Sequence, residues 1–213
     1  MLVALLVIAA VSGGVLGLVY GVTKDTIAQV DQKKNEAAIK AVLPLKDVTY
    51  KADTMQFNYE GVDLTFPCNL AYDANGNFKG AAVKTSEGGF GGKIDMMVGF
   101  LADGTIKGTS VLSHAETPGL GANMTGKFKD QFVDKNPASY KLTVTKDGGD
   151  VDAITAATIT SRAFSKAVDK AYQAFMANKA QFMNNTPAKE AAPVMEEAPA
   201  EENNETEGGQ SNE

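Results

Sequence analysis

Along the chain the spacing of apolar residues changes repeatedly, and each change marks a different kind of element. Residues 2–22 read LVALLVIAAVSGGVLGLVYGV, without one charged side chain. As a helix rising about 1.5 Å per residue, such a run matches the hydrocarbon thickness of a bilayer, so a transmembrane helix is expected over residues 1–23. A cleaved leader would instead show a shorter apolar stretch, roughly 7 to 15 residues, behind a basic segment. Ser12, Gly13, Gly14 and Gly17 are small enough to let another helix approach closely. Lys24, Lys33, Lys34 and Lys40 follow the run, which by the positive-inside rule would place the rest of the chain in the cytoplasm.

From Thr26 to Leu43 the apolar residues Ile27, Val30, Ala37, Ala38 and Val42 keep a mostly helical spacing, and Pro44 supplies a stop. An amphipathic connecting helix is therefore expected within residues 24–46. After it the period falls to two: Val48 and Tyr50, then Met55, Phe57 and Tyr59, then Leu64 and Phe66 alternate as strands do. Phe78 to Val83, Ile94 to Leu101, Thr105 to Leu112 and Tyr140 to Val144 read as further strands, with Asn75-Gly76 and Asp103-Gly104 as hairpin turns between apolar segments. One helix is expected from about Asn123 to Val133 and another from Thr158 to Met183. In the second, Phe164, Ala167, Val168, Ala171, Tyr172 and Phe175 form an apolar stripe. Residues 47–186 thus predict an α+β domain, a mainly antiparallel sheet packed by helices.

Composition adds one boundary. Residues 187–213 hold eight Glu, one Lys and no aromatic residue, so they cannot bury enough surface to fold and are expected to be a disordered acidic tail. Of the formal charge of −6, that tail contributes −7 and leaves the first 186 residues at +1. The nearly neutral body has no clustered basic surface, which argues against nucleic acid as partner. A single Cys (Cys68) excludes an intrachain disulfide, a CxxC redox pair and a Cys-rich zinc site; a single His (His114) excludes two-histidine metal motifs. No metal ligands and no catalytic residues are assigned. A redox role would require a borrowed cofactor.

Three stretches are too unusual to be generic scaffold. Gly88-Gly89-Phe90-Gly91-Gly92 suits either a sharp bend between strands or a loop that lets backbone approach a ligand. His114-Ala115-Glu116-Thr117-Pro118-Gly119-Leu120-Gly121 places a carboxylate, a hydroxyl and glycines on one short arc, suited to hydrogen bonding a polar ring edge or a phosphate. Asp152-Ala153-Ile154-Thr155-Ala156-Ala157-Thr158-Ile159-Thr160-Ser161 lies where a helix begins. Unpaired amides and the positive end of the helix dipole would favour a phosphate there, although any one of the hydroxyls could serve only as an N-cap.

The last stretch resembles the covalent flavin attachment motif Asp-x-x-Ser/Thr-Gly-Ala-Thr of the FMN-binding domain family, here Asp152 to Thr158 followed by Thr160-Ser161. The Glu-Thr-Pro-Gly-Leu-Gly run at Glu116 to Gly121, the glycines at Gly89 to Gly92 and the Thr-Lys-Asp at Thr23 to Asp25 are similar to those of the G subunits of the Rnf ion-translocating electron transport complex. The C subunits of the Na⁺-translocating NADH:quinone reductase are their cousins. The likeness extends over residues 1 to about 183. Ala156 replaces the motif's usual Gly, and Phe90 and Lys93 stand where Tyr and Pro are common.

The resemblance implies FMN esterified through its phosphate to Thr158 by a separate flavin transferase that uses FAD. Asp152, Thr155, Ala157, Thr160 and Ser161, with Glu116, Thr117, Gly119, Leu120 and Gly121, are then expected to bind the cofactor. It implies an electron-carrying subunit, not a complete enzyme, working with other membrane subunits that couple ferredoxin and NAD⁺ to ion transport. It also implies a single-pass cell-membrane protein with its domain on the extracytoplasmic face, contrary to the charge rule. The alternatives are the homologous subunit of a Na⁺-translocating quinone reductase, and an anchored extracytoplasmic binding module in which the Thr cluster is only a helix cap.

Overall fold

The computed structural model describes residues 2–184, except the side chains of Leu2, Ala4, Val7, Ile8, Asp25, Thr26 and Ala28. The sequence places an uninterrupted helix first, α1 (Leu2–Val42). It runs through the expected boundary at residues 23–24 without a break, because no Gly pair, Pro or turn signal lies there. Pro44 follows its end, as read from the sequence. Among the described residues no helix is long and apolar enough to cross a membrane; Leu2, Ala4, Val7 and Ile8, within the apolar run, are among the undescribed side chains. The expected acidic tail, residues 187–213, also lies outside the described residues.

Five antiparallel strands follow in the order β1-β2-β3-β4-β5: β1 (Val48–Tyr59), β2 (Val62–Asp73), β3 (Phe78–Gly88), β4 (Lys93–Leu101) and β5 (Ile106–Ser113). Consecutive pairing needs only short connections, and turn chemistry supplies them. Glu60 and Gly61 both take positive φ (52° and 85°), as a tight two-residue hairpin demands. The Asp73 carboxylate accepts hydrogen bonds from the Asn75 and Asn77 amides in the β2–β3 turn. Gly104, at φ 95°, closes the β4–β5 turn by donating to the Leu101 carbonyl at 2.9 Å.

The sheet buries one face under α2 (Thr158–Asn184). Phe164, Ala167, Val168, Ala171, Ala174 and Phe175, spaced to share one side of that helix, meet Met96, Val98 and Phe100 of β4 and Ala81 and Val83 of β3. The aromatic centre is dense: Phe100 stacks on Phe175 at 5.2 Å, and Phe164 lies 5.3 Å and 5.0 Å from Phe128 and Phe132. The opposite face carries a smaller cluster where Ala38, Ile39, Val42 and Leu43, at the end of α1, pack on Ala71, Ala82 and Met97. Gly99 is required there, since a Cβ would strike the Val42 carbonyl. The globular domain is thus seated on the end of α1.

Two expected elements differ. Asn123–Val133 is not one α-helix but two 3₁₀ turns, Gly121–Thr125 and Lys127–Phe132, because Gly126 between them is extended (φ −90°, ψ −138°). Tyr140–Val144 forms no strand of the sheet. Gly148-Gly149 fold the chain back locally, so Val151 donates to the Thr143 carbonyl and Thr145 to the Val151 carbonyl, leaving a single bridge between Val144 and Val151.

Candidate functional site

Three segments distant in sequence meet beyond the ends of β3, β4 and β5. Gly89–Gly92 link β3 to β4, His114–Gly121 leave β5, and residues 152–158 lead into α2. Their meeting point is Glu116. The residue is 5% exposed, and its carboxylate accepts from the Gly91 N–H at 2.9 Å through Oε1 and from the Thr160 hydroxyl at 2.6 Å through Oε2. A buried carboxylate is costly unless both oxygens are satisfied; here one side chain ties the glycine hairpin, its own loop and the first turn of α2 together. Gly121 allows this, because a Cβ at that position would collide with the Glu116 carboxylate and the Thr160 hydroxyl. The glycine run is therefore both a bend between strands and a backbone donor to the site.

The approach to α2 is equally defined. Ala157 donates to the Ile154 carbonyl at 3.0 Å, closing a turn in which Ala156 takes φ 59°, the positive-φ position where type II turns ordinarily carry Gly. Ser161 locks the turn from within the helix: its hydroxyl donates to the Ala157 carbonyl at 3.0 Å and accepts from the Ile154 N–H at 2.9 Å. Thr158 then opens the helix. Among the described residues no side chain caps the amides of Thr158, Ile159 and Thr160, and the first turn carries no acid, so the positive end of the helix is available to an anion.

These elements enclose a cavity of about 370 Å³ lined by Phe90, Glu116, Thr117, Leu120, Gly121, Ala156, Ala157, Thr158, Ile159 and Thr160. It brings together Glu116, Thr117, Leu120, Gly121, Ala157, Thr158 and Thr160 of the residues expected from sequence. Gly119 is exposed beside it, and the fully buried Ser161 hydroxyl is engaged in the turn. Asp152 and Thr155 line a separate polar cleft of about 650 Å³ with Gln131 and Lys127. Asp152 is held there through its backbone, whose N–H donates to Gln131 Oε1 at 2.8 Å. Phe90, Ala156 and Ile159 join the lining without having been assigned from sequence; Phe90 and Ile159 are 71% and 52% exposed at the rim. The signal for both was present, an aromatic ring inside a glycine run and an apolar residue between two threonines.

Another cleft, about 540 Å³, lies between α2 and residues 137–147 and includes Tyr59, Asp147, Arg162 and Asp169. Within it Arg162 forks onto Asp147 at 2.7 and 2.8 Å, Asp169 accepts from Gln173 at 2.7 Å and from the Tyr59 hydroxyl at 3.3 Å, and Lys166 reaches Glu60 at 3.2 Å. Burial, then the Asp169 and Glu60 charges, push the Tyr59 hydroxyl up to about 12, and burial raises the Asp169 carboxyl. The smaller cavity is distinguished by Thr158, the first residue of α2, in a wall that also carries the apolar rim of Phe90, Leu120 and Ile159.

The FMN-binding domain family matches residues 89–173, which contain all three segments. The G subunit of the ion-translocating oxidoreductase complex of Vibrio atlanticus is 35% identical over 182 residues, 79% of this chain and 86% of that protein. The corresponding G subunit of Methanosarcina acetivorans is 34% identical over 181 residues, 80% and 90% of the two chains. The G subunit of the Na⁺-translocating ferredoxin:NAD⁺ oxidoreductase complex of Acetobacterium woodii is 34% identical over 183 residues, 80% and 88%. The crystal structure of the C subunit of Na⁺-translocating NADH-quinone reductase from Parabacteroides distasonis superposes with a TM-score of 0.48 and 17% identity, over 73% of this chain and 94% of that one. With such sequence identity to the G subunits along most of its length, and with the glycine hairpin, the Glu116 loop and the helix start inside the matched domain, the chain belongs to the family of G subunits of ion-translocating oxidoreductase complexes.

Proposed function

We propose that this chain is a membrane-anchored flavoprotein subunit that carries FMN as a phosphoester on Thr158 and relays electrons within an ion-translocating ferredoxin:NAD⁺ oxidoreductase complex. The observation that carries the reading is the position of Thr158, the first residue of α2 and part of the cavity wall, at a helix start with no acid in its first turn. A phosphate at that hydroxyl would meet free amides and the positive helix end. The residues present fit the remainder of the group as well: Phe90, Leu120 and Ile159 offer an apolar rim to a planar ring, while Thr117 and the backbone of the Glu116 loop offer polar edges. Bound FMN supplies the one- and two-electron chemistry that no side chain here provides. Glu116, already satisfied by Gly91 and Thr160, acts by holding the walls in place.

Residues 2–22 are read as the anchor. All ten large apolar side chains described between Val3 and Val22 are more than half exposed, so the domain does not cover them and a lipid environment would. The domain is assigned to the extracytoplasmic face, with the other subunits of the complex and a flavin transferase as its partners. Carbonate washing should leave the chain in the membrane fraction, and removal of residues 1–23 should release it. Expressed with a flavin transferase, the denatured band should fluoresce under ultraviolet light, and Thr158→Ala should be dark while unfolding at nearly the same temperature. Retained fluorescence in Thr158→Ala would assign the ester to another hydroxyl; a dark wild-type band would refute the reading.

A further inference from the structure

His114, the only histidine of the chain, has no part in the cavity wall, yet it touches the loop that builds that wall. Its ring is exposed, and its Nδ1 lies 3.2 Å from the backbone nitrogen of Glu116. An N–H can only donate, so Nδ1 accepts and carries no proton; the ring hydrogen sits on Nε2. The arrangement is that of an Asx turn with an imidazole in place of the amide oxygen, a side chain accepting from the backbone two residues on. Around this bond the loop has little slack. The Glu116 carboxylate is fixed at both oxygens, and a Cβ on Gly91 would run into the Ala115 carbonyl. The Ala115–Glu116 peptide is thus clamped on the carboxylate side by Gly91 and Thr160 and on the N–H side by His114.

We propose that His114 is a positioning residue for this clamp: its unprotonated Nδ1 fixes the Glu116 peptide, and protonation of that atom releases it. A protonated Nδ1 would point a donor at a donor. The charged groups on the elements packed around the loop do not offset this switch. Lys93 and Asp95 on β4 pair with one another at 3.0 Å, Asp95 also accepts from Ser113, and Glu116 is occupied. The glycine hairpin, the 3₁₀ turn Gly121–Thr125 and the first turn of α2 carry no charge. The consequence for the proposed cofactor site, which rests on the reading above, is a wall that loosens as the medium acidifies.

Because there is one histidine, nitrogen-15 labelling of histidine in the full chain in detergent reads its tautomer without assignment. The expected result at neutral pH is the Nε2–H form, and an Nδ1–H form would overturn the proposal. Amide exchange at Glu116 gives the second arm. Loss of one ordinary hydrogen bond should speed exchange about fivefold in His114→Ala at neutral pH. After correction for the intrinsic pH dependence, wild type should converge on the Ala value on acidification. His114→Asn, whose Oδ1 can accept from the same N–H but does not titrate, should stay protected with no step. Equal exchange in wild type and His114→Ala at neutral pH, or a step retained in His114→Asn, would refute the role. Neither readout requires bound FMN, so failure here is separable from failure of the proposed function.

Discussion

Ala156→Gly should stabilise the protein although it removes a methyl group. Ala156 sits at φ 59° in the turn that presents Thr158. An L-residue in the left-handed region carries about 1–2 kcal/mol of steric cost. Glycine removes that cost but gives back about 0.5–1 kcal/mol through the larger entropy of the unfolded chain. The balance favours glycine by about 0.5–1 kcal/mol, a rise of about 1–4 °C in melting temperature for a chain of this size. Side-chain packing does not reverse the sign, since Ala156 is exposed at the cavity edge. The assay is thermal and urea unfolding of the full chain in detergent, with the urea slope unchanged. Gly119→Ala is the matched control: at φ 77° with no atom within 4 Å of the new Cβ, it should lose about 1 kcal/mol from backbone strain alone. A glycine variant at 156 that melts at or below wild type, while Gly119→Ala falls as expected, would refute the strain argument.

Other substitutions probe other parts of the account. Gly121→Ala should cost about 1–3 kcal/mol, because its Cβ has to displace the Glu116 carboxylate and the Thr160 hydroxyl; chemical denaturation measures the loss. Phe164→Ala, emptying the space against Phe128 and Phe132, should cost about 3–5 kcal/mol by the same assay. Hydrogen bonds from the Asn77 side chain, the Lys79 ammonium and the Asn77 amide hold the Asp73 carboxyl well below the usual carboxylate range. With its folded pKa depressed, its contribution is complete above the unfolded value of about 3.9 and is lost as pH falls further. Asp73→Asn should therefore melt lower than wild type at neutral pH and show a smaller drop between pH 5 and pH 2.

Much of the architecture can be read in the chain because one-sided burial leaves a periodic trace. The stripe of α2 and the alternation from Met55 to Phe66 announced their elements. β1 was less legible: residues 51–54 are exposed on both faces, so Val48 and Tyr50 seemed detached from Met55 to Tyr59, although all belong to one strand. Tyr140 to Val144 alternate as a strand would, but the alternation there serves a local loop closed by Gly148-Gly149. For the site, composition located the three segments but could not say how they meet. The link is the Glu116 carboxylate, whose partners lie 25 and 44 residues away along the chain. Nor does the order of hydroxyls in the motif reveal their division of labour, in which Thr158 faces the cavity, Thr160 holds Glu116, Ser161 holds the turn and Thr155 turns to the neighbouring cleft.

That division makes the site of FMN attachment a question about one oxygen atom. Trypsin should release Asp147 to Arg162 as a single peptide containing Thr155, Thr158, Thr160 and Ser161. Tandem mass spectrometry of this peptide, from protein produced with a flavin transferase, should find the mass of one FMN less water on Thr158. An unmodified peptide, or the same mass on Thr155, Thr160 or Ser161, would contradict the account.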